Sequence, residues 1–371
     1  MSTTKITTPE LLDFPDETIS SQNTSGTVIP TGFTAPTVDV EYLVVAGGGG
    51  GGGYSNGGGG GAGGLLTNYG TSSLSRSASV AYDIEVGAGG IKGAYADGAV
   101  AGSGGNSKFD TIESNGGGGG VATGSSGQSG GSGGSGGGGG YNTNQAGGAA
   151  SPAGQGNAGG TGGGAGGYYP GAGGGGAGAV GGTPANNTSR GDGGDGLEVN
   201  IIGGTGNYYA GGGGGGLGGG GLGPTSGAGG AGGLGGGGQG RNDDPIPAVA
   251  ATAGTDGLGG GGGGGSTVTG PKDGGTGVVI LRIPSTATAT FNNATTTLTQ
   301  VGGGTWTSGD KVYTIEATTA GADVTFTSTS SVNNIRPTTN LNAGEFRFNT
   351  TLNYVEYYNG SDWVQIMDSA V

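Results

Sequence analysis

The sequence has 371 residues, and 108 of them are glycine, about 29% where ~7% is ordinary. It has no Cys and no His, and 11 Lys+Arg stand against 25 Asp+Glu, a net charge of -14. These numbers exclude thiol and imidazole chemistry, a Ser-His-Asp triad and the common zinc sites. They also argue against nucleic acid, whose phosphates call for Lys and Arg.

In chain order, residues 1–40 form an N-terminal arm of Thr, Ser, Asp and Pro with too few apolar residues for a core. Met1 to Pro15 holds one Lys and no apolar run of the secretory kind. No stretch of ~18 apolar residues exists, so no membrane insertion is expected. The body, residues 41–284, holds nearly all the glycine: 99 of the 231 residues from Gly47 to Gly277, against 9 in the other 140. Collagen is excluded, because runs of seven (Gly47 to Gly53, Gly259 to Gly265) break any Gly-X-Y period and only 13 Pro are present. A flexible linker is disfavoured by strand-like segments set against the runs: Val40 to Ala46, Ala81 to Val86, Ser107 to Ile112, Leu197 to Ile202 and Val278 to Ile283.

Glycine disfavours an α-helix by ~1 kcal/mol per residue against Ala, and it gains little in a sheet. There remains the left-handed extended helix of three residues per turn. Without Cβ atoms such helices pack closely and bond N–H to C=O on their neighbours. The expected fold is mostly β and irregular: β-segments anchoring, at one end, a glycine-rich bundle of polyglycine-II helices, with a small C-terminal β-module over 285–371. In that module Lys311 to Glu316, Asp323 to Thr327, Gly344 to Asn349 and Tyr354 to Tyr358 read as strands. Asn359-Gly360 reads as a hairpin turn before Trp363 to Ile366.

At the bundle end away from the β-segments, the interruptions between glycine runs become loops, and these carry the candidate contact residues. They are Tyr141, Tyr168, Tyr169, Asn186, Arg190, Arg241, Asn242, Asp243 and Asp244. Aromatic and polar side chains on exposed loops suit sugars or protein surfaces. Tyr208-Tyr209, by contrast, stands at the foot of a run and reads as packing. Asp192-Gly193-Gly194-Asp195-Gly196 has the composition of a calcium-binding Gly/Asp repeat but occurs once, so neither metal nor cofactor is expected. No carboxylate pair stands out for acid–base work, and the G-x-G-x-x-G matches open no helical pattern, so no enzyme is expected.

Tyr42-Leu43-Val44-Val45-Ala46-Gly47, Val86-Gly87-Ala88-Gly89-Gly90 and the exit from Gly277 to Pro284 resemble, in that order, the glycine-rich domain of bacteriophage tail-fibre proteins. Arg336-Pro337, Gly344 to Thr350, Tyr357-Tyr358-Asn359-Gly360 and Trp363 resemble a small β-module of phage virion proteins, and Met1 to Glu10 is similar to their leader. In composition the body is similar to phage adhesins whose tip is a sandwich of polyglycine helices with receptor-binding loops at the far end. The resemblance implies a virion protein: a tail-fibre or adhesin component. It would attach to other tail or fibre proteins through its arm and recognise a host glycan or outer-membrane protein through loops of the body. It also implies a homo-oligomer, a trimer as phage fibres usually are. The alternative is a non-adhesive structural virion protein, such as a head fibre, capsid decoration or tail-assembly part.

Overall fold

The structure, a computed structural model, describes residues 36–328 apart from 55, 95–97, 123–126, 142–144, 164–169, 186–190, 219–228, 244–247, 267–269, 302–304 and 307–308, together with 346–349, 354–358, 361 and 363–365. The chain divides into two compact units, Thr37–Ser328 and a second made of Met1–Pro36 with Thr329–Val371. Among the described residues there are strands and irregular segments but no helix.

The larger unit carries β1 (Thr37–Val45), β2 (Leu65–Thr67), β3 (Leu74–Ser77), β4 (Ala81–Glu85), β5 (Ser107–Phe109), β6 (Ile112–Ser114), β7 (Leu197–Glu198), β8 (Tyr208–Tyr209), β9 (Val278–Pro284), β10 (Ala287–Val301) and β11 (Asp310–Ser328). Nine of these form one sheet in the order β2-β1-β9-β11-β4-β5-β6, with β3 also on β1 and β10 also on β11. β7 pairs with β8 separately.

β9, and β1 from Tyr42 to Val45, are apolar at nearly every position because both faces of the sheet are covered there. Val38, Val40, Val44, Val279, Leu281 and Ile283 face one core with Ile84, Phe109, Ile315 and Phe326. Leu43, Val45, Val278, Ile280 and Val312 face a second core, capped by Leu65, Val199, Ile201 and Tyr209. The sheet curls round the first core. Its aromatics meet across the curl, with Phe109 6.4 Å from Tyr42 and 6.3 Å, edge-on, from Phe326.

Three sequence expectations are revised. Residues 285–371 are not one module, because β10 and β11 belong to the body's own sheet. β11 is drawn there by Val312, Tyr313, Ile315, Val324 and Phe326, which bury against residues of β1, β4, β5 and β9. The Thr-rich stretch Ala287–Val301, not read as a strand, is a strand of 15 residues. Leu197 to Ile202 is strand only at Leu197–Glu198, and the rest turns so that Val199 and Ile201 cap the second core. In the smaller unit the described strands fall where the sequence reading puts them, while the Asn359-Gly360 turn and residues 1–35 of the arm lie outside the described residues. β12 (Phe346–Asn349), β13 (Tyr354–Tyr358) and β14 (Trp363–Gln365) form an antiparallel sheet in that order.

The glycine runs fold against one another with a period of three. In Gly47 to Gly53, the amides of Gly47 and Gly50 donate to the carbonyls of Gly105 and Gly102. Those of Gly48 and Gly51 donate to Gly275 and Lys272, and those of Gly49 and Gly52 to Gly61 and Gly58, all at 2.8–3.0 Å. The carbonyls accept in the same rhythm: Gly47 and Gly50 from Gly117 and Gly120, Gly48 and Gly51 from Gly90 and Gly93, Gly49 and Gly52 from Gly262 and Gly265. The run therefore has six neighbours. Gly57 to Gly64 and Gly211 to Leu217 repeat the pattern, each with six of their own. Backbone groups that side chains would otherwise leave stranded are thus paired.

Candidate functional site

The runs leave the sheet at Ala46, whose amide bonds the Gly64 carbonyl, and reverse at the opposite end around Asn56. Asn56 tolerates the left-handed backbone that this reversal needs, with φ 54°. Its carbonyl accepts from the Tyr141 amide at 3.2 Å, and its side-chain oxygen accepts from the Gly218 amide. Other chain reversals arrive at the same end. Gly57 bonds Gly265, Gly58 bonds Val121, Gly171 bonds Gly216, Gly215 bonds Gly191 and Leu217 bonds Arg241. The described flanks of several interruptions therefore stand at the remote end, while other turns lie at the sheet end, where Leu65 bonds Gln155 and Ala177 bonds Ala210.

Tyr141 lies at that end, half-buried. Arg241 and Asn242 are there too but are buried, 5% and 0% exposed, so neither presents a side chain at the surface. Arg241 Nε bonds Asp243 Oδ1 at 2.5 Å within a pair that is itself buried, and Asn242 exchanges backbone bonds with Val249. These residues brace the loop base. Tyr168, Tyr169, Asn186, Arg190 and Asp244 lie outside the described residues. Their flanks, Pro170–Gly171, Gly191 and Asp243, stand at the remote end.

Asp192 and Asp195, the calcium-like pair, take a different part. Their Oδ1 atoms accept from the amides of Ala231 and Leu234, at 2.7 and 2.9 Å. The pair and its donors share the three-residue spacing, so the carboxylates take the place of carbonyls from a further run. Asp273 does the same for Lys92, and Thr183 for Thr161. Among the described residues, no group of three or more His, Cys, Asp or Glu is placed to hold a metal. Asp192→Ala and Asp195→Ala are each expected to cost up to about 1 kcal/mol in urea unfolding, and millimolar calcium to leave the midpoint of the parent protein unchanged.

A second charged cluster was not foreseen from the sequence. Arg282 lies buried between Asp310 and Glu41, its Nε 2.5 Å from Asp310 Oδ2 and 3.9 Å from Glu41 Oε2. It also donates to the Ile201 carbonyl at 3.0 Å and covers the Tyr69 ring at 5.3 Å. Thr305 donates to Glu41 at 2.9 Å. The three charged groups are themselves buried, and the cluster ties β1, β9, β11 and the 201 turn together. An open cleft of about 480 Å³, lined by Asp83, Glu85, Lys108, Thr318 and Thr319, lies where β11 passes from β9 to β4. Lys108 bonds Asp83 there at 3.1 Å.

Two tyrosines carry a pH signature. Burial raises the phenol of Tyr209, and it also raises that of Tyr42, where Arg76 opposes the shift. The unfolded chain ionises first, from the ordinary value of 10.0. The contribution of the buried phenols is thus whole below that value and is lost as pH climbs from it through the folded value. Tyr209→Phe is expected to flatten the alkaline decline of the thermal midpoint. Glu198 moves the other way: hydrogen bonds from Asn200, Gly206 and Tyr208 lower its carboxyl, the Asn200 bond most, and fix the 203–206 turn.

The sequence model of a family described as a glycine-rich domain matches residues 22–284. No curated protein and no solved structure matches the chain.

Proposed function

The chain belongs to the glycine-rich domain family, and from that premise we propose that it is a component of a bacteriophage tail fibre or adhesin, recognising a host surface through the end of the body remote from the sheet. The observation that carries this reading is the group of chain reversals that meet around Asn56, at the end of the body opposite the sheet. A block held by its own backbone, with one set of reversals standing clear of the sheet, suits surface recognition. Such contacts are individually weak and gain strength from many copies on one particle. The ligand is a host glycan or outer-membrane protein, the arm joins other virion proteins, the chain is a homo-oligomer, and the activity is binding without catalysis.

On the same reading the runs are polyglycine-II helices, with three residues per turn and a rise of ~3.1 Å per residue. The three-residue hydrogen-bond period and the six neighbours of each run support this. Amides from Gly48 to Gly52 and Gly57 to Gly64 are then expected to exchange slowly in deuterated water. Fast exchange throughout would return them to irregular loops.

The functional test is adsorption. Purified protein should bind host cells and block phage attachment. The burial of Arg241 and Asn242 favours the second reading, a non-adhesive virion component. If the protein neither binds nor blocks, and imaging places it on the capsid, that second reading replaces the first.

A further inference from the structure

The sheet ends in an edge that nothing described covers. β10 is 15 residues long and pairs only with β11 among the described strands. From Thr295 to Gln300 every residue is exposed, and Leu298 is 52% exposed. An edge of this length presents a row of unpaired N–H and C=O groups, which native proteins blunt with charge, proline or bulges. β10 has neither charge nor proline: Ala287 to Val301 contains no Asp, Glu, Lys, Arg or Pro. Its register with β11 shifts between Asn292 and Ala294 and between Thr295 and Thr296, and then runs unbroken from Thr296 to Val301. The other outer strands are short: β3 carries Arg76, β6 carries Glu113, and β2 has only the three residues Leu65–Thr67.

We infer that β10 is the seat of a two-fold contact between two copies of this chain, in which their Thr296–Gln300 segments pair antiparallel. The symmetric Thr297-Leu298-Thr299 pattern favours a second copy as the occupant, and the lack of charge permits it. Two chains of net charge -14 repel within a screening length of ~8–10 Å, so like copies meet best along a strand that carries no charge. The contact is isologous, the commonest symmetry of soluble oligomers. With the axis at Leu298, each Leu298 faces its own copy and Thr297 faces Thr299, a β-branched pair that suits a cross-strand site. The two-fold differs from the trimer that the fibre resemblance implies, and it holds whether or not the remote end binds a host.

The absence of native cysteine makes the test clean. Full-length protein is expected to sediment as a dimer between 1 and 100 µM (concentrations chosen to bracket about micromolar affinity). Leu298→Cys is expected to cross-link to a covalent dimer under copper-phenanthroline, and Val180→Cys, 65% exposed on the glycine body, to stay largely monomeric. Thr297→Lys with Thr299→Lys is expected to give a folded monomer with an unchanged circular dichroism spectrum. A monomer or trimer across the range, a dimer that survives the lysines, or equal cross-linking by both cysteine variants would overturn the proposal. If the lysine variant fails to fold, the cysteine pair decides alone.

Discussion

Gly60→Ala is expected to lower the stability of the body by about 3 kcal/mol or more, read as a fall in the urea or thermal midpoint. Gly60 lies inside a run, its amide on the Gly262 carbonyl and its carbonyl under the Gly213 amide, both at 2.8 Å. An added Cβ would fall on the carbonyl oxygen of Gly49 and come within 2.8 Å of that of Gly50. Neither obstacle is a side chain that can swing aside. Each is backbone already bonded to other runs, so relief requires several runs to part together. Gly270→Ala is the control, with no atom within 4 Å of the added carbon and an expected change within about 0.5 kcal/mol. Equal losses at the two positions would remove close packing as the reason for glycine.

Arg282→Met is expected to cost about 3–5 kcal/mol, because it leaves two buried carboxylates without their cation. Asp310 would keep the amides of Thr305 and Trp306, at 3.2 and 3.3 Å, but these do not neutralise it. The combined variant Glu41→Gln, Asp310→Asn, Arg282→Met removes the charges as a set and is expected to lie closer to the parent than the single variant, since a buried ionic cluster as a whole contributes little net stability. A combined variant less stable than Arg282→Met alone would show that the cluster acts through hydrogen bonds more than charge.

The strands that border the glycine were legible because they are apolar and abrupt. Tyr42 to Val45 and Val278 to Ile283 need no context to be read. β10 was not legible, because its apolar face is short, Ala287, Ala289 and Phe291, and beyond Asn292 the strand is mostly Thr and takes its place from β11 beside it. The buried cluster did leave a trace: Glu41 and Arg282 are charges of opposite sign beside the apolar runs Tyr42 to Val45 and Val278 to Leu281, and they pair in register. Asp192 and Asp195 were read for what carboxylates bind, when their spacing of three was the signal. Asn56 was missed because it stands in a three-residue gap between glycine runs, where its neighbours carry no pattern. The contact residues were harder again. Arg241 and Asn242 have the side chains of a binding loop, and only packing reveals that they are buried.

A lattice in which each run can take six neighbours has no natural width, any more than a crystal does. Something must end it sideways. Asp192, Asp195, Asp273 and Thr183 do so by offering an oxygen where the next run would have offered a carbonyl. They act as terminators of lateral growth. Exchanging one for glycine would reopen the face, and a glycine hairpin inserted beside it would find its bonds waiting. The girth of such a protein is therefore set by a few polar residues on its perimeter, and it can broaden or narrow by whole hairpins while the sheet that roots it stays as it is.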